Sequence, residues 1–294
     1  IGTGRAASAL LHHFTATGLT EVGLWGRNEQ MALTLCHEYR TRRFEELSQM
    51  IRASDIVLLA VSDSAIGELA LSVLEFCVSE DCCLSGKTFG HLSGALRSDI
   101  LSPLRDKGAN TVSAHPIQAL PWKSDPSKDP LSETWFSLEG YDVGVLTLEQ
   151  LLKDCGNPCF RIQPESKALY HAALCTLSNY AVTLMHSGFE MLTMASVDEN
   201  IARKATRSLI VENIKNCLDV SPRQALTGPI SRGDLVTVEH HMQALSDRPE
   251  MLFFYGLMGL ETLKLAELGE ERQFSMEALL RRMMEGAGTH EQSI

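Results

Sequence analysis

The spacing of apolar positions changes a little past the middle of the chain. In the first part, short apolar runs alternate with amphipathic stretches. EVGLWGRN (21–28), DIVLLAV (55–61), KTFGHLSG (87–94) and NTVSAHP (110–116) read as strands ending in small or polar residues. The 55–61 run is almost wholly apolar, as a strand covered on both faces of a parallel sheet should be. Residues 5–17, 29–39 and the stretch after Val61 carry helical patterns, the last with Ser62 or Asp63 as its N-cap. WFSLEG (135–140) and PCFRI (158–162) read as two more strands. Strand alternating with helix predicts a doubly wound α/β sheet, whose ligands bind at the carboxyl ends of the strands.

After Glu165 the strand signals stop. Helical patterns run over 166–195, 198–217, 234–245, 249–268 and about 274–285. The expected organisation is an α/β domain over 1–164 and an all-α domain over 165–294. PWKSDPSKDPLSE (121–133) is expected to be a surface loop. Tyr170–Phe189 contains no Asp, Glu, Lys or Arg and is long enough to span a bilayer. Its His171, Ser178, Asn179, His186 and Ser187 fit a helix buried against protein better than one in lipid.

The opening IGTGRAASAL supplies the first candidate chemistry. Gly2-Thr3-Gly4-Arg5-Ala6-Ala7 fits G-x-G-x-x-A, a dinucleotide-binding turn. The first glycine allows the bend, the second lets backbone approach a pyrophosphate, and Ala7 lets the helix pack closely. Amides at the helix start then face the phosphates. Such a turn normally follows a buried strand, yet only Ile1 precedes it. Ile1 is expected to be the end of that strand, with several residues absent from this numbering.

The second strand ends in Gly26-Arg27-Asn28. An NAD site usually has an acid here for the ribose hydroxyl. This chain has no acid there and offers Arg27 to a 2′-phosphate, which favours NADP(H). In the VSDSAI turn, Val61, Ser62, Asp63 and Ile66 are expected to pass beside a cofactor ribose.

Composition narrows the partners. The 294 residues carry a net charge of −11, which argues against nucleic acid and an anionic membrane. Eight cysteines form no CxxC pair and read as reduced thiols of a cytoplasmic protein. No signal peptide is visible. His240 and His241 lack carboxylate or cysteine partners at ligand spacing, so no metal site is expected.

HLSGAL (91–96), SAHPIQAL (113–120), KALYHAALCTLSNY (167–180) and ALTGPISRGD (225–234) resemble a family of predicted Rossmann-like oxidoreductases with a helical C-terminal domain of unknown function. More distantly the plan is similar to ketopantoate reductases, pyrroline-carboxylate reductases and β-hydroxyacid dehydrogenases. The resemblance implies hydride transfer with NADP(H), a helical domain whose first helix forms one wall of the active site, and a homodimer. It leaves the substrate open.

Reduction of a carbonyl or imine needs a proton donor beside the nicotinamide. Lys167 and His171 are four apart and share a helix face. The β-hydroxyacid relatives imply a lysine acid/base there with an amide one turn on; here that second place holds His171, and the donor stays open between the two. Ser93 and His115 follow strands on the ligand side, and Asn179 is placed to orient substrate. Thr227 opens a Gly-Pro loop in which Arg232 suits a substrate carboxylate and Asp234 a helix N-cap. The leading expectation is an NADPH-dependent reductase of a small 2-oxo acid, with a ketopantoate-like substrate as one candidate. The alternatives are a reductase of a cyclic imino acid and an NADP(H)-binding sensor without turnover.

Overall fold

The computed structural model describes residues 1–79, 82–120 and 128–288. They form two compact units, Ile1–Tyr180 and Ala181–Ile294. Residues 165–180, expected with the helical region, therefore group with the sheet. Residues 121–127 of the expected surface loop lie outside the described residues.

The first unit runs α1 (Arg5–Ala16), β1 (Gly23–Leu24), α2 (Glu29–Tyr39), β2 (Arg42–Arg43), α3 (Leu47–Ala53), β3 (Ile56–Leu59), α4 (Asp63–Ser79), β4 (Thr88–His91), α5 (Ser102–Arg105), β5 (Asn110–Pro116), β6 (Phe136–Gly140), α6 (Asp142–Asp154), β7 (Cys159–Arg161) and α7 (Lys167–Cys175). β2, α3, α5 and α6 add to the elements read from sequence. β1 and β2 pair in parallel, and β3–β4–β5–β6–β7 form a second sheet, parallel except for β5–β6. Ile1 and Gly2 join the two. Ile1 N donates to the Leu58 carbonyl (2.6 Å), the Ile1 carbonyl accepts from Ala60 N (2.8 Å), and Gly2 N donates to the Trp25 carbonyl (2.9 Å). Beside this joint lies a groove of about 550 Å³ whose walls include Leu10, Phe14, Leu24, Arg42, Phe44 and Asp55.

Apolar side chains pack both faces of the sheet. Ile51, Val57, Leu59, Ile66, Val73 and Phe89 form one layer. Leu10, Phe14, Val112, Ala114, Phe136, Leu138 and Leu148 form the other. Strand side chains alternate between faces. On β5 and β6, Val112, Ala114, Phe136 and Leu138 therefore point one way, while Thr111, Ser113, Ser137 and Glu139 point the other. All four of those polar residues are buried. A buried polar layer of this size needs partners, because each unmatched group costs roughly 1–3 kcal/mol.

One partnered polar group braces α1. Buried His13 bonds Asp129 Oδ2 through Nδ1 (2.7 Å) and Asn157 Oδ1 through Nε2. Asn157 Nδ2 donates to the carbonyls of Leu131 and Thr134, so its oxygen must face the ring. Both imidazole nitrogens thus face side-chain oxygens of residues 129 and 157.

The second unit contains α8 (Ala181–Met194), α9 (Glu199–Asp219), α10 (Pro222–Ala225), α11 (Pro229–Arg232), α12 (Leu235–Ala244), α13 (Pro249–Leu263) and α14 (Glu270–Gly288). Its core is Ile230, Val238, Leu252, Met276, Leu280 and Met283. α13 and α14 approach closely because Gly259 has no side chain; a Cβ there would lie 2.5 Å from Leu280 Cδ2. α8 and α9 differ. α8 buries none of its residues and α9 only Ala202, while Val182, Leu184, Ile201, Leu209, Ile214 and Leu218 are exposed. The helix expected over 166–195 is interrupted by a π turn at Thr176–Tyr180. Among the described residues no helix is long and apolar enough to cross a membrane.

Candidate active site

Two features of the first unit converge at the carboxyl ends of β3, β4 and β5. The first is a cleft of about 840 Å³ floored by the glycine turn. Gly2 adopts φ +119°, and a Cβ there would come 2.3 Å from the Ala60 carbonyl oxygen, so only glycine fits. Gly4 meets nothing within 4 Å on its Cβ side, which leaves its backbone open to a ligand. Thr3, Arg5 and Ala6 also line the cleft, as do Arg27, Asn28, Val61 and Ser62. Arg5 Nη1 donates to the Leu120 carbonyl (2.9 Å) across one wall. Arg27 is exposed and has no ion pair among the described residues. Asn28 also caps α2, accepting from Met31 N (3.0 Å). The open glycine backbone and the unpaired guanidinium fit a dinucleotide carrying an extra phosphate.

Two residues expected on the cofactor are placed elsewhere. Ile66 is fully buried in the apolar core under β3, because the first turn of α4 turns its side chain onto the sheet. Asp63, the first residue of α4, points away from the cleft and accepts from Ser93 Oγ (2.7 Å).

Asp63 leads to the second feature, the polar layer under α7. Ser93 Oγ donates to Asp63 and accepts from the amides of Ala95 (3.1 Å) and Leu96 (2.9 Å). The Ser93 carbonyl accepts from Ser113 Oγ (3.2 Å), and Ser113 Oγ accepts from Lys167 Nζ (2.5 Å). Glu139, on the neighbouring strand, accepts from Ser98 N and Ser98 Oγ (both 2.8 Å). Lys167 is only 1% exposed. Burial pulls its ammonium down to about 8, although the charges of Glu139 and Asp63 hold it up. His91 is saturated and structural: Nδ1 accepts from Ser93 N, Nε2 donates to the Arg97 carbonyl (both 3.2 Å), and burial pushes it down to about 4.

On α7, Lys167, Tyr170, His171 and Leu174 form an i, i+3, i+4, i+7 stripe turned towards the sheet, while Leu169 is exposed on the other side. His115 Nδ1 lies 2.9 Å from the Tyr170 hydroxyl, with the rings edge to face. The His115 and His171 rings stand 6.5 Å apart. Gly94 makes this possible, since a Cβ there would lie 2.7 Å from His171 Cδ2 and 2.9 Å from His115 Nε2. Burial pushes His115 down to about 4, helped by the charges of Lys167 and His171. His171 is half-buried, with both ring nitrogens 3.9 Å from Cys175 Sγ.

Of the residues singled out from sequence, the structure brings Ser93, His115, Lys167 and His171 together. Asn179 lies in the exposed π turn, where its Oδ1 accepts from Ser178 Oγ (2.9 Å). Thr227 and Arg232 belong to the second unit, and both are exposed. There Asp234 caps α12 as expected, accepting from Thr237 N (3.1 Å) and Oγ (2.7 Å). The sequence alone gave no role to Ser113, Glu139 or Tyr170. The α7 stripe was a legible signal for Tyr170. The others depend on strand register.

Residues 134–262 match the family model for a domain of unknown function (DUF2520). Residues 1–67 match the model for shikimate / quinate 5-dehydrogenase. No curated protein matches the chain. Among solved structures, a Bacteroides fragilis protein described as a "putative NADP oxidoreductase" is similar at 18% identity, over 90% of this chain and 96% of that one, with a TM-score of 0.69. An imine reductase from Myxococcus stipitatus, in complex with NADP+, is 13% identical over 96% and 92%, with a TM-score of 0.59. A pyrroline-5-carboxylate reductase from Coxiella burnetii is 15% identical over 97% and 96%, with a TM-score of 0.57. In fold the chain is a Rossmann-like protein with a helical C-terminal region, similar over residues 134–262 to the DUF2520 domain.

Proposed function

We propose that the chain is an NADP(H)-dependent reductase of a small molecule carrying a C=O or C=N bond. The observation that carries this is the junction of the open glycine cleft with the buried Lys167 layer, made through Ser62–Asp63 and Ser93. When bound, NADPH supplies a hydride. The amides of Gly2–Ala6 would hold its pyrophosphate and Arg27 its 2′-phosphate. Beyond the cleft, the half-buried His115, Tyr170 and His171 offer polar groups to a substrate. Lys167 is too deeply buried to touch one and acts as a positioning cation beneath them.

The acceptor is a small 2-oxo acid or a cyclic imino acid. An imine reductase and a pyrroline-5-carboxylate reductase among the similar structures favour the C=N acceptor. NADPH and NADH binding, followed by nucleotide fluorescence, tests the reading. Wild type should bind NADPH more tightly, and Arg27→Ala should weaken NADPH about tenfold or more while leaving NADH unchanged, since a charge-assisted bond contributes ~1.5–3 kcal/mol. Equal affinity for both nucleotides in wild type would remove the NADP assignment.

The exposed apolar faces of α8 and α9 support a homodimer. Helices of 14 and 21 residues with one buried side chain between them gain little from packing in their own chain. A second copy would cover Leu209, Ile214 and Leu218. Light scattering should give twice the chain mass, and Leu209→Glu combined with Leu218→Glu should give monomers.

A further inference from the structure

We infer that His115 delivers the proton to the substrate and that Tyr170 is the positioning residue that sets its tautomer and resupplies it. The inference deepens the reductase reading and rests on it. Neither of the proton donors weighed from sequence, Lys167 and His171, is as well placed. Lys167 is sealed beneath Ser113, and His171 turns a ring carbon, Cδ2, towards Gly94. Half-buried His115 turns Nε2 to the same spot, where that nitrogen has no hydrogen-bond partner among the described residues.

The direction of the hydrogen bond decides what Nε2 presents. Nδ1 of His115 faces the Tyr170 hydroxyl at 2.9 Å. Ser137 Oγ is fully buried next to the same oxygen, off strict hydrogen-bond geometry, and its proximity stabilises negative charge on it. Burial alone keeps Tyr170 protonated, because it raises the phenol above its ordinary value. A protonated phenol beside an imidazole that is neutral near pH 7 donates to Nδ1. The remaining ring proton then sits on Nε2, aimed at the space over Gly94. Lys167 and His171 oppose a positive imidazole, and Asp63 is the acid that favours one. The ring therefore works as a neutral donor.

The proton step balances as follows. As negative charge develops on the substrate oxygen or nitrogen, the Nε2–H bond breaks and the new O–H or N–H bond forms. The Tyr170 O–H bond breaks and an Nδ1–H bond forms. The imidazole stays neutral as its other tautomer, and the phenolate regains a proton from water.

The test uses the full chain labelled with ¹⁵N-histidine. It also follows NADPH oxidation with pyruvate and 1-pyrroline-2-carboxylate as probes. The wild-type His115 spectrum should show the Nε2–H tautomer from pH 6 to 8. Tyr170→Phe should mix the tautomers and lower turnover of whichever probe reacts by about 10²-fold, within the range of general acid catalysis. NADPH fluorescence should be unchanged in that variant. His115→Gln, whose amide can both accept and donate, should recover part of the activity that His115→Ala loses. An Nδ1–H tautomer in wild type, or undiminished turnover in Tyr170→Phe, overturns the inference. If wild type binds NADPH but reduces neither probe, the tautomer alone decides. If wild type fails to bind NADPH, the reductase reading falls, whatever the tautomer.

Discussion

The glycine cleft and the polar layer under α7 are built in opposite ways. The cleft is shaped by backbone. Its floor is Gly2 at positive φ and an open Gly4, and its side chains mostly edge it. The polar layer is shaped by side chains. Ser93, Ser113, Glu139 and Lys167 are buried and hold one another by hydrogen bonds and charge. A backbone site needs few residue types but tolerates no Cβ where the chain bends. A side-chain network tolerates conservative changes in shape but not in charge. It also couples protonation at one residue to the next. Substitutions aimed at each region should therefore fail in different ways.

The largest effect should come from Gly2→Ala. The new Cβ would meet the Ala60 carbonyl at 2.3 Å in a conformation disfavoured for alanine, at the joint between β3 and the end of β1. A loss of about 3 kcal/mol, read by denaturant unfolding, is the order expected of strain at a special φ/ψ with a backbone clash. NADPH binding should be lost with it. A variant as stable as wild type would mean that the joint yields and the cleft is not set by backbone.

Gly94→Ala should act on the other region and at a smaller energetic scale. Here the clash is with two imidazoles that can rotate, His171 Cδ2 at 2.7 Å and His115 Nε2 at 2.9 Å. Stability should fall by about 1 kcal/mol, as for mild overpacking. NADPH affinity should hold while turnover drops by about 10-fold or more. Equal losses of affinity and turnover would join the two regions into one site and undo the contrast.

This difference in construction also governs what was legible in the chain. The cleft could be read because its parts are contiguous: Gly2 to Ala6 is one turn, and Gly26 to Asn28 follows one strand. The same reading overreached at Asp63 and Ile66. It treated a turn as a ribbon along the cofactor, whereas α4 had already begun and its first turn sent one side chain to Ser93 and the other into the core. The polar layer was half legible. Lys167 and His171 stood out at i, i+4, but Ser113 and Glu139 face Lys167 only because β5 and β6 pair antiparallel in that register. Nothing local in the sequence states that register. The π turn at 176–180 was hidden for a similar reason, since helical spacing on either side continues smoothly through it.

The effect most specific to the polar layer is its dependence on pH. Lys167 has its folded value lowered from 10.5 to about 8, chiefly by burial. Between those values the unfolded chain binds more protons at Lys167, so the contribution of Lys167 to stability should rise as pH climbs from about 8 to 10.5. His115 and His91 are lowered from 6.5 to about 4, again mainly by burial. Stability should therefore fall as pH drops from 6.5 towards 4, and the two windows should be separate. Lys167→Met would abolish the upper window. It should also move His115 upward in a ¹⁵N titration, because the ammonium is one of the charges that oppose an imidazolium there. The His91 titration should move up as well, since the same charge acts on it. Gly4→Ala, in the cleft, should change none of these titrations. If His115 titrates at the same pH with and without Lys167, the buried cation does not act on the imidazole, and the layer is a set of independent hydrogen bonds rather than a coupled network.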